Sequence, residues 1–297
     1  MSTILSKIKR GTPGLPNRFL FAGPEGIGKS TLASKAPSPL FVCAEDGLTG
    51  LDHVQRFVPE TLDDLNTLVD EMILAPQTFD CKTLVIDTTD WLERLIAQSV
   101  CKRDGKSDIE DYGFGKGYVV LENELVSLLQ KFDQLRQTAK IGIVMLSHVH
   151  IRTFNDPTGP SYERYEMKGH KRFTGILREW PDMCGFLTSE VFSTKEKGKQ
   201  REKIIAGERV IKTQGSPAWD AKNRLNLPET IPMEWDALDL AIRENSPEAF
   251  RTKVKELFAT AKLDDKAKAT WTKWLTGIDG ISSDKLQQAI AKLTEKQ

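Results

Sequence analysis

Residues 18–31 read Arg18-Phe19-Leu20-Phe21-Ala22-Gly23-Pro24-Glu25-Gly26-Ile27-Gly28-Lys29-Ser30-Thr31. Arg18 to Ala22 is a short apolar run, the pattern of a buried strand, and it leads straight into Gly23. Gly23 to Ser30 then matches G-x-x-x-x-G-K-[ST], and a helix opening at Lys29 must stop before Pro37. A strand, a glycine loop and a helix start in this order form a phosphate cradle. The glycines let backbone N–H groups converge on one anion, and the helix start points its positive end at the same place. Lys29 has the length and charge to reach the terminal phosphates, and the Ser30 hydroxyl is a hard ligand of the type Mg²⁺ takes. A chain of this length carries the pattern by accident roughly once in a hundred times at average composition. The expected nucleotide contacts are Gly23, Pro24, Glu25, Gly26, Ile27, Gly28, Lys29, Ser30 and Thr31, with Asp87 further on.

Outward from the cradle, strand and helix patterns alternate. Strands are expected at Leu40 to Ala44, Thr83 to Ile86 and Ile141 to Leu146, and helices at Thr61 to Leu74, Trp91 to Cys101 and Val119 to Thr138. Lys102 to Gly117 and Arg152 to Arg172 read as polar loops, the second too long for a simple connector. Cys184 to Phe192 and Glu202 to Thr213 read as a late hairpin, with the cations Lys195, Lys197, Lys199 and Arg201 at its tip. The alternation implies a three-layer α/β core, residues 1–234, with a mostly parallel sheet and antiparallel strands at one edge. After Trp235, strand formers thin out. Helices expected near Pro247 to Ala261, Asp264 to Leu275 and Ser282 to Leu293 make residues 235–297 a small helical appendage, with Trp271, Trp274 and Leu275 as candidate core.

Thr83-Leu84-Val85-Ile86-Asp87 supplies the second half of a nucleotide site, because an apolar strand delivers one carboxylate to the Mg²⁺ shell. Asp87 is followed by Thr88, so an acid directly after the metal carboxylate is missing. Glu45, with Asp46 as a weaker neighbour, ends a strand that can lie beside the phosphate strand and is the preferred water-activating base; Asp90 and Glu93 are the alternatives. His148 and His150 are two ligands without a third, which is poor evidence for a metal.

Taken together, the phosphate loop, the strand end Phe41-Val42-Cys43-Ala44-Glu45 and Val85-Ile86-Asp87-Thr88 resemble the RecA-like ATPases in order and type. The Tyr112 to Tyr118 segment, Ser147-His148 and Ala221-Lys222-Asn223-Arg224-Leu225 narrow the resemblance to the RecA-like branch of phage Sak single-strand annealing and recombination proteins, over Asn17 to Glu234. The resemblance implies ATP and Mg²⁺ as cofactors, with His148 as a γ-phosphate sensor. It further implies that Lys222 and Arg224 reach the ATP of a neighbouring subunit in a homo-oligomer. The lead before the core is shorter than RecA's assembly segment, so ring and filament both stay open as the form of the oligomer.

The same resemblance implies two segments facing single-stranded DNA, Lys102 to Tyr118 and Arg152 to Arg172. In the second, Arg152, Arg164, Lys168, Lys171 and Arg172 alternate with Phe154, Tyr162, Tyr165 and Phe173, so cations can track phosphates while rings stack on bases. A single-strand-binding protein is a further expected partner. The expected activity is ATP hydrolysis stimulated by single-stranded DNA during annealing or strand pairing. The alternatives are a ring-forming translocase or helicase, and an ATP-binding adaptor or loader with little turnover.

Composition sets the outer bounds. The 297 residues are 39% hydrophobic and 28% charged, with Lys+Arg and Asp+Glu both 42, so a protein coating polyanions with its whole surface is disfavoured. Four scattered cysteines make neither a zinc motif nor a disulfide framework. With no apolar run long enough to span a membrane, the expected compartment is a reducing cytoplasm without membrane attachment.

Overall fold

The computed structural model describes residues 14–44, 50–195 and 202–296. Ten strands are described: β1 (Arg18–Gly23), β2 (Pro39–Cys43), β3 (Gln55–Phe57), β4 (Thr83–Asp87), β5 (Gly142–Phe154), β6 (Tyr162–Met167), β7 (Met183–Lys195), β8 (Glu202–Lys212), β9 (Lys222–Asn223) and β10 (Thr230–Pro232). The main path runs β10-β8-β7-β1-β5-β4-β2-β3, with β6 paired to β5 and β9 to β7. From β7 to β3 the pairings are parallel, while β8, β10, β6 and β9 pair antiparallel. This is the expected α/β architecture, a mostly parallel sheet with a late hairpin.

Local chemistry explains the crossover helices. Thr61 caps α2 (Leu62–Leu74) by accepting from the Asp64 N–H, and Asp64 returns a bond to the Thr61 N–H. α3 (Thr89–Arg103) carries Asp90 in its first turn and Lys102 and Arg103 in its last, matching the helix dipole at both ends. α4 spans Lys116–Thr138 and α5 Lys171–Glu179. Period-two burial sorts the sheet. Leu20, Leu40, Val42, Leu84, Ile86, Ile143 and Met145 share one core with Leu65, Leu92, Leu125 and Phe173 from α2 to α5. The strand residues between them, Phe19, Phe21, Phe41, Val85 and Val144, are buried on the other face. Right-handed crossovers require this division. The chain steps one way through α1 (Lys29–Ala33) and the other way through α2 to α5.

A network of charges fastens the sheet's entry edge. Arg18 Nη2 donates to Asp182 Oδ1 at 2.7 Å and Arg18 Nη1 to Asp133 Oδ1 at 3.1 Å. Arg136 joins Asp133 and donates twice to the Pro16 carbonyl. The starts of β1 and β7 are thereby tied to α4.

Several expectations are corrected. Residues 152–172 are not a loop: β5 runs on to Phe154, pairs with β6 as a hairpin, and α5 begins at Lys171. Lys102 to Gly117 contains a 3₁₀ turn at Ile109–Tyr112, and α4 already starts at Lys116. β2 lies between β4 and β3, separated from β1 by both β5 and β4, so the strand leading to Glu45 is not beside the phosphate strand. Trp235–Glu244 forms a helix, α6, for which no helix was expected.

By contacts the chain forms two compact units, one of residues 15–224 and 228–238, the other centred on residues 239–297 with 225–227. In the second, α7 (Pro247–Thr260) and α9 (Ser283–Thr294) bury Phe250, Val254, Leu257, Leu286 and Leu293. Trp271 and Trp274 of α8 (Asp265–Leu275) meet edge to face at 5.4 Å and lie partly buried against that core. Among the described residues, no helix is long and apolar enough to cross a membrane. All four cysteines are buried.

Candidate nucleotide site and its hairpin

The parallel strands converge at their carboxyl ends, where open α/β sheets bind ligands. Gly23 is level with His148 across the β1–β5 ladder, and Asp87 is level with Leu146 across β4–β5. Strand β5 thus brings Ser147 and His148 between the start of the phosphate loop and the Asp87 strand end. The bond between Asp87 and Thr88 is cis.

The loop itself requires its glycines. Gly28 has φ 106° at the N-cap of α1, a conformation a side chain would strain. A Cβ on Gly23 would stand 2.9 Å from the Leu187 carbonyl oxygen, so the loop can leave β1 only where that residue is small. Lys29 is buried, and its ammonium donates to the Gly23 and Pro24 carbonyls at 3.0 and 2.9 Å. Burial lowers its pKa against the opposing pull of Asp87 and Asp90. Ser30 Oγ donates to Asp87 Oδ2 at 2.6 Å, joining the two motifs. Burial raises the Asp87 carboxyl above its ordinary value, outweighing the Ser30 bond and Lys29. One hydroxyl and one carboxylate side by side are the hard oxygen donors that Mg²⁺ takes.

His148 Nδ1 lies 3.2 Å from Asp90 Oδ1, and the Thr88 hydroxyl donates to the same oxygen at 2.7 Å. Burial works to raise the Asp90 carboxyl, but these two bonds outweigh it and hold it below the carboxylate range. Glu93 accepts the His170 N–H at 3.0 Å and is raised by burial. Both alternatives for the base are therefore engaged by neighbours. Glu45 and Asp46 lie outside the described residues, as do Lys197, Lys199 and Arg201. His150 sits level with Glu166 in the hairpin, and no cluster of three metal-ligating side chains exists among the described residues.

The hairpin register sorts the proposed nucleic-acid residues. His150, Arg152 and Phe154 face Glu166, Arg164 and Tyr162 directly, which places two arginines and two rings on one side. Phe154 and Tyr162 are 5.3 Å apart, and the Arg164 guanidinium lies 5.6 Å over Phe154. Arg152 is two-thirds exposed beside Glu166, whereas Arg164 is held by Asp220. Lys168 bonds Glu25 of the phosphate loop at 2.7 Å, and Arg172 bonds Glu122 at 3.3 Å. Lys171 and Arg172 stand in the first turn of α5. The two segments expected to face DNA meet, because the Tyr118 ring stacks on His170 at 3.7 Å.

Lys222 donates to the Arg178 carbonyl at 3.2 Å and to the Glu179 carbonyl, so it caps its own α5. Burial lowers its pKa. Arg224 is exposed, its N–H donating to the Asp182 carbonyl at 3.1 Å.

A mostly parallel sheet, a glycine phosphate loop at the end of its β1 strand and a carboxylate bonded to that loop's serine define a P-loop nucleotide-binding core. The chain belongs to the AAA domain family, whose profile matches residues 15–225. Among solved structures it is similar to that of the RadB recombinase, at 13% identity and TM-score 0.38 over 75% of this chain and 90% of that one. No curated protein matches it.

Proposed function

We propose that the chain is a Mg²⁺-dependent ATPase of the recombination type that acts on single-stranded DNA, promoting annealing or strand pairing in phage recombination. The observation that carries the ATPase reading is the 2.6 Å Ser30–Asp87 bond beside the buried Lys29 ammonium. Lys29 exchanges its two loop carbonyls for terminal phosphate oxygens. Ser30 and Asp87 would hold Mg²⁺, which would offset negative charge on the triphosphate. Glu45 orients and deprotonates the attacking water, and His148, steadied by Asp90, reads the γ-phosphate. Lys222 and Arg224 are assigned to a neighbour's site in a homo-oligomer, the stronger candidate being the exposed Arg224.

The DNA reading is supported by the hairpin that continues the sensor strand, with Arg152, Arg164, Phe154 and Tyr162 on one side. A switch at His148 is joined to it through one uninterrupted strand. The internal pairing of Arg164, Lys168 and Arg172 favours a second reading, an adaptor whose hairpin answers to a protein. Steady-state ATP hydrolysis with and without single-stranded DNA, on wild type and Lys29→Ala, separates the two. Stimulation by DNA that vanishes in Lys29→Ala supports the recombination ATPase. DNA-independent or negligible hydrolysis refutes it in favour of the adaptor.

A further inference from the structure

Helices α8 and α9 enclose a groove of about 540 Å³. It lies inside the second compact unit and outside the residues that the family profile matches. Trp271 and Trp274 form one wall, half-buried and edge to face at 5.4 Å. The other wall is a single face of α9, where Lys285, Gln288, Ala289 and Lys292 follow one another at helical spacing. Ala289 is buried, and its small side chain leaves the space opposite the indoles open. The two lysines are exposed and stand about 10 Å apart along the helix axis. Among the described residues, neither ammonium has a hydrogen-bond or ion-pair partner. No carboxylate among those residues lines the groove. The nearby acids serve the helix starts instead: Asp264 caps α8, and Asp265 and Asp284 stand in first turns.

We propose that this groove docks an acidic, amphipathic peptide segment of a partner protein, with an apolar side chain against the indoles and carboxylates against Lys285 and Lys292. The inference does not depend on the nucleotide site. Unopposed cations at both ends of an apolar groove call for anions on either side of an apolar residue. Residues three apart in an extended peptide span about 10 Å, the spacing of the two lysines. The Gln288 amide between them can bond the peptide backbone. Edge-to-face indoles give an inserted side chain two aromatic surfaces meeting at a corner. They do not offer the parallel, successive ring faces on which bases stack, so the geometry favours a peptide over single-stranded nucleic acid.

The test is fluorescence anisotropy of labelled probes titrated with the full chain. The first probe is a short peptide with a leucine–phenylalanine pair between runs of glutamate. The second is the same peptide with lysine for glutamate, and the third is oligothymidylate. Wild type is expected to bind the acidic peptide about 10-fold or more tightly than the basic one, with affinity falling as salt rises. The double variant Lys285→Glu, Lys292→Glu alters only exposed side chains and is expected to keep the wild-type thermal melt. Its acidic-peptide affinity is expected to drop about 10-fold. Gln288→Glu, which adds one carboxylate to the groove, is expected to weaken the same probe by a smaller factor. No binding of the acidic peptide, or equal binding by wild type and the double variant, overturns the proposal. Oligothymidylate binding that the double variant abolishes, with the acidic peptide unbound, overturns it in favour of a nucleic-acid groove.

Discussion

His148 Nδ1 and Asp90 Oδ1 are 3.2 Å apart, the middle of β5 bonded to the first turn of α3. Because Thr88 donates to the same oxygen, the Asp90 carboxylate is stabilised as an anion and is a weak proton acceptor. A base held this far below neutrality has little driving force to take a proton from water. Glu45→Gln is therefore expected to cut turnover about 10²–10⁴-fold with ATP binding retained. Asp90→Asn, which releases the imidazole, is expected to cost less and to shift the pH profile of turnover. A larger loss in Asp90→Asn than in Glu45→Gln would transfer the base role to Asp90.

Lys222 is bonded to the end of its own α5, whereas the Arg224 side chain is exposed. Lys222→Ala removes a cation from the end of α5 and is expected to lower stability by about 1 kcal/mol, read by chemical denaturation. Arg224→Ala leaves that cap in place and is expected to abolish turnover with monomer nucleotide binding intact. Loss of nucleotide binding in Arg224→Ala would refute its assignment to a neighbour's site.

Ser30→Ala removes the hydroxyl that joins the phosphate loop to Asp87. Nucleotide binding without Mg²⁺ is expected to persist, because Lys29 and the loop N–H groups remain. The gain in affinity on adding Mg²⁺ is expected to shrink about 10–100-fold. An unchanged Mg²⁺ response would remove Ser30 from the metal shell.

Asp182 gives a stability prediction with a defined pH sense. Burial works to raise its carboxyl, and the Arg18 side-chain and backbone bonds outweigh it, so its folded pKa lies below the ordinary value of 3.8. Its contribution is present above the unfolded value and is lost as pH falls through the lower folded one. Asp182→Asn is expected to cost about 2 kcal/mol at neutral pH. The cost should shrink as wild type is acidified into that window, as urea melts at stepped pH would show. A cost independent of pH would place the effect in packing rather than charge.

Local pattern accounts for what the sequence made legible. The phosphate loop and the Asp87 strand were readable because each couples an apolar run to a residue of special chemistry at its end. The hairpin was obscured by composition. Residues 149–154 alternate Val149, Ile151 and Thr153 with His150, Arg152 and Phe154, the period of a strand, yet their polarity and the nearby Gly159-Pro160 read as loop. β3 has three residues, two of them exposed, and carries almost no apolar signal. The insertion of β5 between β1 and β4, which moves Glu45's strand away from the loop, is topological and leaves no local trace. The Lys168–Glu25 bond joins residues 143 positions apart. No periodicity announces such a partner, so Lys168 reads in sequence as one more basic residue.

Cys43 closes β2, Cys81 precedes β4, Cys101 lies in the last turn of α3 and Cys184 is the second residue of β7, and all four thiols are buried. Burial pushes Cys81 up to about 11 and Cys184 up to about 12, so both are poor nucleophiles at neutral pH while the fold is closed. Four native reporters are thus distributed over strands β2 and β7, helix α3 and the approach to β4 without any engineering. The rate at which each is alkylated measures how often its own element opens, and adding ATP would show which of those openings the nucleotide suppresses.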